Sequence, residues 1–241
     1  MTPLTIATQD GTCPATLHGA DLPAGRPGVI LYTDAFGPRP ALQAMAARLS
    51  AAIGALVLLP DLLYRTPHGP FDPLTAFAQE PTASRLRALL TATTQSMTAA
   101  DSLAFLDTLA EANAGPIATL GYCMGGARAL TAAGTHPARI AAAASFHGGN
   151  LASDAPESPH LLAYHIRARL YIGVAGTDAS FPPEQSARLA LTLREAQVEH
   201  CMETYLQATH GWCVPDHRAF HPSLAERHWT RLTRFLTETL T

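Results

Sequence analysis

The chain has 241 residues, of which 47% are hydrophobic and 15% are charged. This composition is typical of a compact globular protein and excludes a disordered one. A net charge of −3 gives no basic surface for nucleic acid or an anionic membrane, and the complete absence of lysine excludes Schiff-base and P-loop lysine chemistry. We expect neither nucleic acid nor a membrane as a partner, and a small molecule as the substrate.

The N-terminus has no basic leader and no apolar run of secretory length, so we expect a cytoplasmic protein. The cysteines are too few and too irregularly spaced for a disulfide framework, and none forms a C-x-x-C pair; they are Cys13, Cys123, Cys201 and Cys213. We therefore expect free thiols, no metal and no organic cofactor.

The order of apolar runs and helical patterns along the chain predicts an α/β fold. An N-terminal hairpin ends near Gly19, with its turn at Asp10-Gly11. Runs apolar on both faces predict buried parallel strands at residues 28–33, 55–59, 117–121, 140–146 and 170–174. Helical patterns lie between them at residues 40–53, 97–112, 124–135 and 182–196. Alternation of this kind predicts a single domain, residues 1–241, with a mostly parallel sheet and helices on both faces.

The remaining segments predict loops near a site and a final strand and helix. Two irregular excursions, at residues 66–82 and 148–159, are of the kind that borders a site. A strand-like run covers residues 200–206. The last helix is expected to begin at a capping box formed by Ser223 and Glu226 and to run to Leu240.

The most specific motif is Gly121-Tyr-Cys123-Met-Gly125-Gly, which joins an apolar strand to a helix. This is the nucleophile-elbow pattern with a cysteine in place of serine. Glycines allow the backbones around a sharp turn to approach closely, and the helix N-terminus favours a thiolate at Cys123. The motif predicts Cys123 as a catalytic nucleophile, although a buried structural cysteine in a glycine-rich turn is the alternative.

An acid and a histidine follow Cys123 in the chain order that the elbow fold requires. Asp178 comes just after an apolar strand, and His210 lies in a loop before the last helix. A histidine base oriented by a carboxylate completes a Cys-His-Asp triad. His147 is the alternative base and Asp154 the alternative acid.

These motifs resemble the dienelactone hydrolases (carboxymethylenebutenolidase-like enzymes) over essentially the whole chain. The resemblance rests on five motifs. They are the cysteine elbow at residues 121–126, the acid loop at 176–182, the histidine loop at 210–212, the early loop at 33–37 and the substrate-side loop at 60–65. It implies an α/β-hydrolase fold and hydrolysis of an ester or lactone through a thioester intermediate.

The resemblance also implies roles for individual residues. The backbone N–H groups of Ala35 and Met124 would form the oxyanion hole. The side chain of Arg65 would bind a substrate carboxylate, and Asp34 would gate the resting cysteine. The matched segments further nominate three aromatic residues for the substrate site: Phe36, Tyr122 and Trp212.

Two departures from the family pattern leave the substrate open. Asp34 stands where well-known members carry the longer glutamate, and Val214 stands where a second substrate-binding arginine is expected. Three alternatives remain at this stage: a cysteine amidotransferase or peptidase, a general carboxylesterase or thioesterase on the same fold, and a non-catalytic binding protein.

Overall fold

The computed structural model describes residues 1–241 and contains one continuous eight-stranded sheet. The strands are β1 (Thr2–Thr8), β2 (Gly11–His18), β3 (Gly28–Tyr32), β4 (Leu56–Pro60), β5 (Ile117–Tyr122), β6 (Ala142–Phe146), β7 (Arg169–Thr177) and β8 (His200–Thr209). Their order in the sheet is β1-β2-β4-β3-β5-β6-β7-β8. The β1–β2 and β2–β4 pairs are antiparallel and all other pairs are parallel. The predicted fold class, including the N-terminal hairpin, is confirmed.

Six α-helices and one 3-10 helix surround the sheet. They are α1 (Pro40–Ile53), α2 (Thr82–Ala92), α3 (Gln95–Glu111), α4 (Met124–Thr135), α5 (Pro183–Glu195), α6 (Pro222–Leu240) and the 3-10 helix Pro159–His165. Side chains of α1 and α6 share a hydrophobic cluster on one face of the sheet, and those of α3, α4 and α5 share a cluster on the other. None of the helices combines the length and the apolarity needed to cross a membrane.

The central strands are buried along their whole length. Every residue of β3, β4, β5 and β6 is buried. Helices cover both faces of these strands, which explains why their sequences are continuously apolar rather than alternating. Because the parallel strands end at one edge of the sheet, the loops that follow β3, β5, β7 and β8 meet there.

Two segments differ from the sequence-based expectation. Helix α2 was not predicted, because half of its residues are exposed and its apolar stripe of Ala83, Leu86 and Leu89 is short. The prediction of a capping box at the start of α6 is wrong. The helix begins at Pro222, one residue before Ser223, and no side chain caps it. Proline favours the first helical position, so Ser223 falls inside the first turn, and Glu226 instead binds Arg48.

Candidate active site

Cys123 lies in a strained turn between β5 and α4. Its backbone has φ 55° and ψ −120°, a region that non-glycine residues rarely adopt. A Cβ atom on Gly121 would lie 1.8 Å from the carbonyl oxygen of Gly125, and one on Gly125 would lie 2.3 Å from that of Tyr32. The two flanking glycines are therefore required for the turn, which leaves the Cys123 side chain partly exposed at the N-terminus of α4.

Asp178 and His210 form a close pair at the ends of β7 and β8. The Asp178 Oδ2 atom lies 2.7 Å from Nδ1 of His210. The other carboxylate oxygen accepts hydrogen bonds from the backbone N–H of Ser180 at 2.9 Å and from its hydroxyl at 2.6 Å. Burial alone would raise the pKa of Asp178, but the hydrogen bonds from His210 and Ser180 outweigh it and lower the pKa. Asp178 is thus held as a carboxylate against the histidine ring.

His210 is adjacent to Cys123 as well as to Asp178. Burial lowers the pKa of His210, but the neighbouring Cys123 and Asp178 outweigh it and raise the pKa to about 10. All three side chains line the same cavity. The structure therefore brings together the three side chains that the motif order predicts.

The alternative base and acid occupy less suitable positions. His147 is buried, and its Nδ1 accepts a hydrogen bond from the backbone N–H of Cys123 at 3.1 Å. That contact uses the only lone pair of the neutral ring, and burial together with the charge of His210 lowers the pKa of His147 well below its ordinary value. Asp154 is an exposed surface residue that pairs with Arg188.

The backbone amides of Ala35 and Met124 have no hydrogen-bond acceptor within the protein. Both residues line the cavity. Met124 is the first residue of α4, where the N–H groups of a helix have no intrahelical acceptor. Unpaired amides beside a nucleophile are the donors that an oxyanion hole requires.

The cavity has a volume of about 1270 Å³ and extends well beyond Cys123, Asp178 and His210. The two predicted excursions contribute to its wall, through Leu74 and Phe77 of the first and Asn150 and Glu157 of the second. No cluster of three or more His, Cys, Asp or Glu side chains is arranged to hold a metal ion.

The sequence matches the model of the dienelactone hydrolase family over residues 14–240. The chain belongs to this family. It is similar to the carboxymethylenebutenolidase of Rhodococcus opacus, with 28% identity over all of this chain and 94% of that protein. Membership of the dienelactone hydrolase family confirms the predicted class of hydrolases that act on ester or lactone bonds.

Solved structures share the fold of this dienelactone hydrolase family member. A dienelactone hydrolase-like promiscuous phosphotriesterase from metagenomic libraries superimposes with a TM-score of 0.79 at 21% identity, covering 100% of this chain and 99% of that one. The dienelactone hydrolase of Anabaena variabilis superimposes with a TM-score of 0.69 at 17% identity, and each chain is covered completely.

Three residues that the family resemblance nominated for the substrate site do not line the cavity. Arg65 lies over Tyr64 and donates to Asp10 and Asp101, each at 2.8 Å, so its guanidinium is already paired. Tyr122 is fully buried, with its hydroxyl 2.9 Å from Nε2 of His228. Trp212 is fully buried as well. None of the three side chains lines the cavity, so the structure does not place Arg65 where it would bind a substrate carboxylate.

The other two nominated residues, Asp34 and Phe36, do line the cavity. The two carboxylate oxygens of Asp34 accept from Arg39 at 2.7 and 2.8 Å, and Arg39 also binds Asp216. No hydrogen bond joins Asp34 to Cys123, so the structure does not bring the expected gate into contact with the thiol. The Arg39 pairs instead tie the loop carrying Ala35 to the loop that follows His210.

Two residues of the site were missed in the sequence. Ser180 follows Asp178 by two positions, the spacing at which an aspartate side chain binds a backbone N–H, and this signal could have found it. Arg128 lines the cavity from the middle of α4, where all residues from Gly125 to Gly134 are buried. A charged residue inside such an apolar helix is a detectable signal in the sequence.

Proposed function

We propose that the protein hydrolyses the ester or lactone bond of a small substrate with Cys123 as nucleophile, His210 as acid and base, and Asp178 as the residue that orients His210. The observation that carries the proposal is the Asp178–His210 pair beside a cysteine in an elbow turn. The curated relative named carboxymethylenebutenolidase supports the same reaction class.

The proposed reaction proceeds in two halves. The Cys123 sulfur adds to the substrate carbonyl, and the negative charge that develops on oxygen is stabilised by the N–H groups of Ala35 and Met124. His210, whose pKa is raised to about 10, carries a proton at neutral pH and gives it to the departing alkoxide or enolate. His210 then takes a proton from water as the water oxygen attacks the thioester. The acid is released, and the Cys123 thiolate is regenerated beside protonated His210.

Substitution of the nucleophile tests the proposal. We expect Cys123→Ala to lower kcat/KM for para-nitrophenyl acetate and for a simple γ-lactone by at least about 10⁴-fold, because the covalent route is lost. Cys201→Ala is the matched control, since Cys201 is exposed on β8 and does not line the cavity. Hydrolysis by Cys123→Ala at the wild-type rate would contradict the proposal.

A further inference from the structure

His147 is a buried histidine with one ring nitrogen that has no partner. It directly follows β6, is 2% exposed, and has a positive φ of 40°, a conformation that non-glycine residues seldom adopt. Because Nδ1 accepts a hydrogen bond from the backbone N–H of Cys123, the proton of the neutral ring lies on Nε2. Nε2 is buried without a hydrogen-bond partner. An unsatisfied buried N–H is costly to a fold, so an apolar side chain would be expected here unless Nδ1 is needed.

The contacts of His147 connect three parts of the site. Its Nδ1 atom lies 3.1 Å from the backbone nitrogen of Cys123. Its own backbone N–H donates to the carbonyl oxygen of Gly173 at 2.9 Å, on the strand β7 that precedes Asp178. Its ring packs edge to face against the ring of His210, with the centroids 4.9 Å apart. One residue therefore contacts the turn of Cys123, the strand before Asp178 and the ring of His210.

The backbone N–H of Cys123 has two acceptors at the end of β6. They are the carbonyl oxygen of Phe146 and Nδ1 of His147, each at 3.1 Å. The turn is strained, with φ 55° at Cys123, and such a conformation persists only where its surroundings fix it. Only the second acceptor belongs to a side chain, so the residue type at position 147 decides whether the turn has it.

We propose that His147 is a positioning residue, which holds the turn of Cys123 against His210 through its Nδ1 acceptor and takes no part in proton transfer. The inference rests on the proposed function and adds a residue that acts through Cys123 and His210. Although His147 lines the cavity, its Nδ1 is engaged by the Cys123 amide and its Nε2 is closed off.

Asparagine and glycine form a matched pair of substitutions at position 147. Both tolerate a positive φ, so neither adds backbone strain, and only asparagine supplies a side-chain acceptor. We expect His147→Gly to lower kcat/KM for para-nitrophenyl acetate by at least about 10-fold, because the nucleophile and the base lose their alignment. His147→Asn should be at least about fivefold more active than His147→Gly, as one hydrogen bond provides. His165→Asn, a control at an exposed histidine, should stay within about twofold of the wild type.

Rescue by asparagine separates positioning from proton transfer, because an amide has no proton to exchange near neutral pH. If His147→Asn is no more active than His147→Gly, the role of the acceptor is overturned. Wild-type kcat/KM in His147→Gly would overturn the whole proposal. Should His147→Gly fail to fold, His147→Ala takes its place as the variant without an acceptor.

The reactivity of the thiols tests His147 without a substrate. Limited treatment with iodoacetamide, followed by mass spectrometry, measures the alkylation of Cys123 relative to the exposed Cys201 in the same molecule. His147→Gly should lower this ratio by at least about fivefold, because a protonated His210 held beside the sulfur favours the reactive thiolate. His147→Asn should restore part of the ratio. An unchanged ratio in His147→Gly would overturn the proposal.

The two buried thiols, Cys13 and Cys213, report whether the variant has merely loosened the fold. Under the proposal they stay as unreactive in His147→Gly as in the wild type. If they become alkylated together with a fall in activity, His147 stabilises the core and is not a positioning residue. If the wild type hydrolyses no ester, the proposed function fails, whereas the alkylation ratio still tests the contact between His147 and Cys123.

Discussion

At the scale of single residues, the proposed chemistry depends on the tautomer of His210. Asp178 accepts from Nδ1 of the ring at 2.7 Å, which leaves Nε2 free to act on the substrate side. Asp178→Asn keeps the size of the side chain, but its amide group no longer enforces this tautomer. We expect kcat/KM for para-nitrophenyl acetate to fall by about 10³- to 10⁴-fold, as measured by steady-state kinetics.

Asp154, the alternative acid, provides the matched control. Its side chain is 93% exposed and pairs with Arg188 at the surface. Such pairs contribute little, so Asp154→Asn should change kcat/KM by less than about twofold. If Asp154→Asn lowered kcat/KM more than Asp178→Asn did, Asp154 and not Asp178 would be the acid of the site.

At the scale of elements, the elbow depends on how closely β3 approaches the start of α4. A Cβ on Gly125 would lie 2.3 Å from the Tyr32 carbonyl oxygen and 2.5 Å from that of Thr33, and neither backbone atom can move cheaply. We expect Gly125→Ala to lower the free energy of unfolding in urea by roughly 3 kcal/mol or more. Gly69→Ala should change it by less than about 0.5 kcal/mol, because nothing lies within 4 Å of its Cβ. Equal effects would show that the contact does not constrain the turn.

Helix α6 is attached to β5 through the Tyr122–His228 hydrogen bond, and the burial of His228 makes stability depend on pH. Burial lowers the pKa of His228 to about 3, below the ordinary value of 6.5 for an unfolded histidine. Between these values the unfolded chain binds the extra proton and the folded protein does not. The contribution of His228 to stability is therefore present above pH 6.5 and is lost as the pH falls toward 3.

Replacing His228 tests this dependence. His228→Gln keeps an acceptor for the Tyr122 hydroxyl and cannot take up a proton, so its stability should fall less between pH 6.5 and 3. The difference from the wild type should reach up to about 4 kcal/mol in urea unfolding measured across the pH range. His165→Gln, a change at an exposed histidine, should follow the wild-type curve. Parallel curves for the wild type and His228→Gln would contradict the account.

At the scale of the whole molecule, the sequence predicted the features that depend on pattern and chain order. Apolar runs identify β3 to β6 because both faces of these strands are covered. The elbow glycines and the order of Cys123, Asp178 and His210 identify residues that the structure brings to one edge of the sheet.

The features that depend on long-range side-chain partners could not be predicted. Arg65 is drawn away from the cavity by Asp10 in the hairpin and by Asp101 on α3, which are distant in sequence. Arg39 joins Asp34 to Asp216 in the same way. No local pattern states which carboxylate an arginine meets, so the resemblance suggested a substrate role for Arg65 that its position in the structure does not support.

The whole fold also distinguishes one thiol from three others. Cys13 and Cys213 are buried, and burial raises the pKa of the Cys13 thiol to about 12. Cys201 is exposed on β8, and only Cys123 lines the cavity with His210. The central claim is that this sulfur is acylated during turnover.

Acid quenching during turnover, followed by mass spectrometry of the digested protein, tests that claim most directly. With a pulse of para-nitrophenyl acetate, the account predicts one acetyl group on the peptide that contains Cys123, released by hydroxylamine as a thioester is. Turnover without an adduct on Cys123, or with the acetyl group on another residue, would contradict it.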